Sequence, residues 1–271
     1  MDMLGRVWTA IGRTLARYLE QPVSEYEPFS VNDPQTLRRV LRPADVLLVE
    51  GDRRISVAIK YLTRSTWSHA AVYVGDVLGG QAVGGEACSL VEADLVEGVI
   101  AVPLSRYARL NTRICRPVGL TTADRDRVVE KALAAVGSAY DLKNVIDLAR
   151  YLLPQPPVPV RWRRRMLALG SGDPTRAICS TLIAQAFQAV RYPILPHVRV
   201  EGAYRGGRYT EREILHIRHH SLFAPRDFDL SPYFAIVKPT LEVGFDYRRL
   251  EWGDDRMGEG DARAPDGAAD P

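Results

Sequence analysis

Ile178-Cys179-Ser180-Thr181-Leu182-Ile183-Ala184-Gln185-Ala186-Phe187 is the stretch from which the rest of the chain is read. Apolar residues recur at 182, 183, 186, 187 and 190, which is the spacing of one helix face. Asp173 and Pro174 precede the segment, so the predicted helix begins close to Cys179. A helix N-terminus carries unpaired N–H groups and roughly half a positive charge. That field favours thiolate over thiol, and thiolate is the nucleophile. Free cysteines are also among the most buried residues, so position alone leaves Cys179 either a nucleophile or a small core residue.

Working outward, Thr66-Trp67-Ser68-His69-Ala70-Ala71-Val72-Tyr73-Val74-Gly75 is β-branched and aromatic and ends in glycine, so it reads as a strand. His69 stands at its start, where a side chain can reach a cleft. A following strand runs over Ala87 to Ala93, and Glu92 is a lone carboxylate in its apolar stretch. If the two strands pair, His69 and Glu92 are neighbours across the ladder. A carboxylate at the far imidazole nitrogen fixes the tautomer and stabilises the imidazolium. A structural histidine and a solvent-facing glutamate would give the same pattern.

These residues carry a resemblance. Arg42-Pro43-Ala44-Asp45-Val46-Leu47-Leu48-Val49 followed by Trp67-Ser68-His69-Ala70 is similar to the permuted papain-like hydrolases of the YiiX/YaeF type. Val91-Glu92-Ala93, Gly98-Val99, Pro103-Leu104-Ser105-Arg106-Tyr107, Gly137-Ser138-Ala139-Tyr140-Asp141 and Ile178-Cys179-Ser180 continue the pattern in order. Ala224-Pro225-Arg226-Asp227-Phe228 and Ser231-Pro232-Tyr233-Phe234 complete it, so the resemblance spans roughly residues 40 to 240. The family resembles NlpC-type peptidases with the halves exchanged: here His69 precedes Cys179.

The resemblance implies an α+β fold, a circularly permuted papain-like (NlpC-type) domain with an antiparallel sheet packed against helices. It implies Cys179 as nucleophile, His69 as general base and Glu92 as the group that orients the histidine. Tyr140 matches the tyrosine near the thiol, which helps hold the oxyanion or lines the pocket. The long connection Val77 to Glu86, rich in glycine, departs from a tight hairpin. It leaves Glu86 and Asp94 as rivals to Glu92; Asp94 shares the pleat parity of Glu92, while Glu86 falls in the loop.

Composition agrees with an enzyme domain. With 46% hydrophobic and 25% charged residues over 271 positions, the chain can bury a substantial core. Three cysteines, Cys88, Cys115 and Cys179, without paired spacing point away from a disulfide framework and toward a reducing compartment. No metal or cofactor motif is present, and His219-His220 lacks a ligand partner at the right spacing. Nucleic-acid binding has no motif support. No run of 18 apolar residues occurs, and Arg6, Arg13 and Arg17 interrupt any signal-peptide core. A cytoplasmic protein is expected, free or held at the inner face of a membrane.

The membrane expectation comes from the N-terminus. At helical spacing Leu4, Val7, Trp8, Ile11, Leu15, Tyr18 and Leu19 share one side, with Arg6, Arg13 and Arg17 opposite. Such a helix either docks on its own domain or lies in a membrane interface. Arg161-Trp162-Arg163-Arg164-Arg165 is a second element suited to an anionic surface, or else a solvated helix face.

Three regions are expected: residues 1–39 as amphipathic helix and linker, 40–250 as the catalytic domain, and 251–271 as a disordered tail. The linker, 20–39, is polar with Pro22, Pro28 and Pro34. The tail holds seven Asp/Glu against two Arg. Strands are predicted at 45–50, 69–75, 87–93, 98–102, 112–117 and 233–238. Helices are predicted at 54–63, at 122–136 capped by Thr121 or Thr122, and from Asp141 to Pro154. The functional expectation is a thiol-dependent hydrolase or acyltransferase that forms an acyl-enzyme on an amide or ester, its substrate a small molecule, peptide or lipid. The alternative is a catalytically silent lipid- or peptide-binding module that keeps the cleft.

Overall fold

In the computed structural model, residues 17–23, 26, 28, 33–79, 82–94, 96–138, 178–205, 208–216 and 218–249 are described. Six antiparallel strands make the main sheet: β1 (Val46–Val49), β2 (His69–Tyr73), β5 (Leu90–Asp94), β6 (Gly98–Val102), β7 (Thr112–Pro117) and β10 (Phe234–Val237). Their order is β10-β7-β1-β2-β5-β6. Helices α1 (Pro34–Val40), α2 (Arg54–Thr63), α3 (Thr122–Ala134), α4 (Ile178–Ala189), α5 (Pro225–Leu230) and α6 (Pro239–Glu242) accompany it. This is an α+β fold, as the sequence indicates.

Side chains alternate along each strand, so the central strands feed two cores. Ala70, Val72, Val91 and Ala93 face one that includes Val128 of α3 and Ile183 and Phe187 of α4. Ala71, Tyr73 and Leu90 face the other, with Leu37, Leu104 and Tyr107. Both strand faces are buried, which explains why β1 reads as an unbroken apolar run. Asp45, 1% exposed at the entry to β1, is clamped to β7 by Arg116 Nη2 at 2.7 Å. The same guanidinium donates to the Val40 carbonyl.

The predicted elements at 54–63, 98–102 and 112–117 are found with those bounds, and Thr121 caps α3 through the Asp124 N–H. Two expectations need correction. The linker 20–39 ends in a helix, because Pro34 sits in the first turn and Asp33 caps it; proline is favoured at that position. The strand predicted at 87–93 is two: β3 (Ala82–Val83) and β4 (Glu86–Ala87) form a separate small hairpin, and β5 starts at Leu90. The hairpin β8 (His197–Arg205) and β9 (Arg208–His216) is additional.

Residues before α1 touch the domain. Leu19 is 1% exposed in the α4-side core, and Pro22 bridges Arg53. Tyr18, next to Leu19, is half exposed and lies under the Arg54 guanidinium. The rest of the amphipathic segment, the helix from Asp141, the Arg161–Arg165 cluster and the acidic tail lie outside the described residues. Among the described residues no helix is long and apolar enough to cross a membrane.

Candidate active site

The ladder between β2 and β5 holds only at Val72↔Val91 and Tyr73↔Leu90. Toward the start of β2 the strands part, and α4 packs against both. In β2 the odd residues bond toward β1, as Tyr73 N–H does to the Asp45 carbonyl. Even residues turn to β5, as Val74 N–H does to Ser89. Ala70 N–H therefore points into the gap left by the parting strands, and it meets the Cys179 sulfur. Cys179 is the second residue of α4, where backbone N–H groups lack helical partners.

His69 shares a side-chain hydrogen bond with the Cys179 thiol. Its Nε2 lies 2.9 Å from Glu92 Oε2. With Nε2 engaged, Nδ1 is the nitrogen left for sulfur. Continuing the register of two ladder pairs puts Ala71 opposite Glu92 and Asp94 opposite His69. Glu92 is thus a diagonal neighbour of the histidine, within reach for long side chains. Asp94 turns to other partners: the N–H groups of Val96 and Glu97 at 2.8 and 3.1 Å and Arg106 Nη2 at 3.2 Å. Glu86 accepts a long bond from Ser105 N–H at 3.4 Å. The structure brings Cys179, His69 and Glu92 together. Tyr140 lies outside the described residues.

Electrostatics follow the geometry. Burial penalises the imidazolium, but the Cys179 thiolate and the Glu92 carboxylate outweigh it and raise His69 from 6.5 to about 10. Burial also pushes the Cys179 thiol up, yet the imidazolium charge, its hydrogen bond and the Ala70 N–H bring it below its ordinary value. Both shifts run toward a thiolate–imidazolium pair, each charge favouring the other. Cys88 and Cys115 move the other way: burial raises both, Cys115 the further.

The resemblance includes Trp67, Ser68, Arg106 and Tyr107 but gives them no role; the structure sets them around the pair. Arg106 comes from the three-ten turn Leu104–Tyr107, and its Nε lies 3.2 Å from Glu92 Oε1. Tyr107 sets its ring 5.9 Å from the imidazole at 47°. Gly51 N–H donates to Ser68 Oγ at 2.9 Å, tying the residue before His69 to the end of β1. Trp67 is held by Asp229 through its indole N–H at 3.1 Å, and Arg113 lies over its ring. None of these is signalled locally, because each partner arrives from a distant element.

The site opens on a cavity of about 520 Å³, lined by Cys179, His69, Glu92 and Arg106 together with Val49, Ile55 and Ile59. Among the described residues no group of three or more His, Cys, Asp or Glu is placed to hold a metal ion.

A family model described as permuted papain-like amidase enzyme, YaeF/YiiX, C92 family, matches residues 40–151. The chain resembles those amidases, and the match supports a hydrolase. It includes His69, Glu92 and Arg106 and ends before Cys179. No curated protein matches the chain. A crystal structure of metalloprotein yiiX from Escherichia coli O157:H7 is 14% identical; the match covers 73% of this chain and 96% of that one with a TM-score of 0.42.

Proposed function

We propose that the chain is a cysteine hydrolase or acyltransferase acting on an amide or ester bond through Cys179, His69 and Glu92. The observation that carries this reading is the chain of contacts from the Cys179 thiol through the His69 ring to Glu92. The thiolate attacks the carbonyl carbon, the S–C bond forms, and the π electrons pass to oxygen. The Cys179 N–H, at the start of α4, donates to that oxyanion. Collapse expels the amine or alcohol, which takes the proton from His69 and leaves a thioester. Water, or another acceptor, then gives its proton to His69 and attacks the thioester, and the thiolate departs. Glu92 holds the ring in one tautomer throughout. A cavity of about 520 Å³ falls within the range of small-ligand sites. Its lining mixes apolar side chains, Val49, Ile55, Ile59 and Leu110, with charged ones, which suits a substrate with an apolar acyl part.

Labelling with iodoacetamide at neutral pH, read by mass spectrometry, tests the proposal. Cys179 is expected to label ahead of Cys88 and Cys115, and His69→Ala to remove that preference. A p-nitrophenyl ester should leave an acyl adduct on Cys179. No preference for Cys179 and no adduct would favour a silent binding module.

A further inference from the structure

We infer that Arg106 is a positioning residue, which holds Glu92 against His69 and supplies the positive charge that lets the Cys179 thiolate form at lower pH. The inference rests on the cysteine-hydrolase reading. Glu92 is 1% exposed, so its carboxylate has almost no water and must be satisfied by protein. One oxygen takes His69 Nε2 at 2.9 Å and the other faces Arg106 Nε at 3.2 Å. Removing one member of such a buried set leaves an uncompensated charge. Arg106 is itself aimed by Asp94, whose second oxygen is tied to the N–H groups of Val96 and Glu97. The β5–β6 turn therefore sets Asp94, Asp94 sets Arg106, and Arg106 sets Glu92.

The same three-ten turn carries Tyr107, whose ring lies against His69. Two consecutive side chains thus fix the carboxylate and the imidazole face together.

Charge points the same way. Glu92 and Asp94 come from β5, Glu20 stands beside Asp94, and Glu86 approaches Ser105 from β4. Opposing them are Arg106, Arg53 at 3.1 Å from Glu20, and the His69 imidazolium. Without Arg106 this set is more negative, and a thiolate beside it forms less readily.

The experiment follows iodoacetamide alkylation of Cys179 against pH in wild type, Arg106→Met and Arg106→Lys, with melting temperatures alongside. The Met variant should move the alkylation midpoint up by about one pH unit, as expected for loss of one nearby opposite charge. The Lys variant keeps the charge and should restore most of the wild-type midpoint. If both variants keep the wild-type midpoint and lose only rate or stability, Arg106 is structural and the inference fails. A Lys midpoint displaced as far as the Met one also overturns the role of charge; should the Met variant not fold, Arg106→Gln takes its place, a raised midpoint supporting the inference and an unchanged one overturning it. A wild type in which Cys179 alkylates like a free thiol fails the hydrolase reading itself, a different result.

Discussion

His69 meets Glu92 on the diagonal of the β2–β5 ladder, Nε2 to Oε2 at 2.9 Å, and not across a directly opposed pair. The opposed position belongs to Asp94, which turns away to bind its own turn and Arg106. Because the strands part at this point, one sheet end accommodates an imidazole, a buried carboxylate and the first turn of α4. Parting the strands thus creates the site, and the two ladder pairs that remain keep it in register.

Replacing Glu92 with Gln keeps the side chain's shape and removes its charge. The ring loses the partner that fixes its tautomer, while thiol and cavity stay. Turnover of a p-nitrophenyl ester, as kcat/KM, should fall about 10²- to 10⁴-fold, the range for disturbed acid–base catalysis. Cys179→Ala should abolish it. An unchanged rate in Glu92→Gln would remove Glu92 from the mechanism.

Gly51 sits where no side chain fits. A Cβ there would stand 2.3 Å from Ser56 Oγ and 3.0 Å from Ser68 Oγ, and both serines are buried. Gly51→Ala is expected to cost about 1–3 kcal/mol, the usual cost of overpacking. It should also lower turnover, since Ser68 precedes His69. Ser56→Ala in the same chain removes the nearest atom and should recover part of the melting temperature. A Gly51→Ala protein as stable as wild type would show that the serines give way freely.

Much of this site was legible because its residues obey local rules. Cys179 announces itself through an apolar helix that starts beside it, and His69 through a β-branched run it opens. Glu92 stands out as a carboxylate in an apolar strand. Arg106 gives no such sign: its spacing to Glu92 means nothing until β6 folds back along β5. Pro34 misled for a physical reason, since proline breaks helices inside and favours them at the first turn. The break at Cys88–Ser89 was hidden because both hairpin and sheet strands use the same residue types.

Leu19 and the residues before it are expected to part company. Leu19 is in the core, so Leu19→Ala should cost about 2–5 kcal/mol. Deleting residues 1–16 removes most of the apolar side that carries Trp8, Ile11 and Leu15 but spares Leu19. If that side meets anionic lipid, the deletion leaves the melting temperature unchanged and abolishes co-sedimentation with phosphatidylserine vesicles. Binding by the full chain should weaken with salt, because its electrostatic part is screened. A melting temperature lowered by the deletion as much as by Leu19→Ala would place the segment on its own domain.

Turnover should trace a bell against pH, with limbs set by two groups displaced in opposite directions. Cys179 is held below its ordinary 9.0, so the thiolate appears, and activity rises, on the acid side of that value. His69 is raised to about 10, so the imidazolium keeps its proton across neutral pH and gives it up only near there. Above that point no acid remains to protonate the leaving group, and kcat/KM should fall. For folding the sign is the same. A raised histidine contributes stability in full below its unfolded value near 6.5, and that contribution is lost as pH climbs through about 10. In His69→Gln the thiol loses its cation while burial still pushes it up. Alkylation of Cys179 at neutral pH should then drop about tenfold or more, because each whole-number rise in a thiol's pKa cuts its thiolate population about tenfold. A wild-type alkylation midpoint at 9 or above, unchanged in His69→Gln, would mean that the thiol and imidazole share no charge in solution.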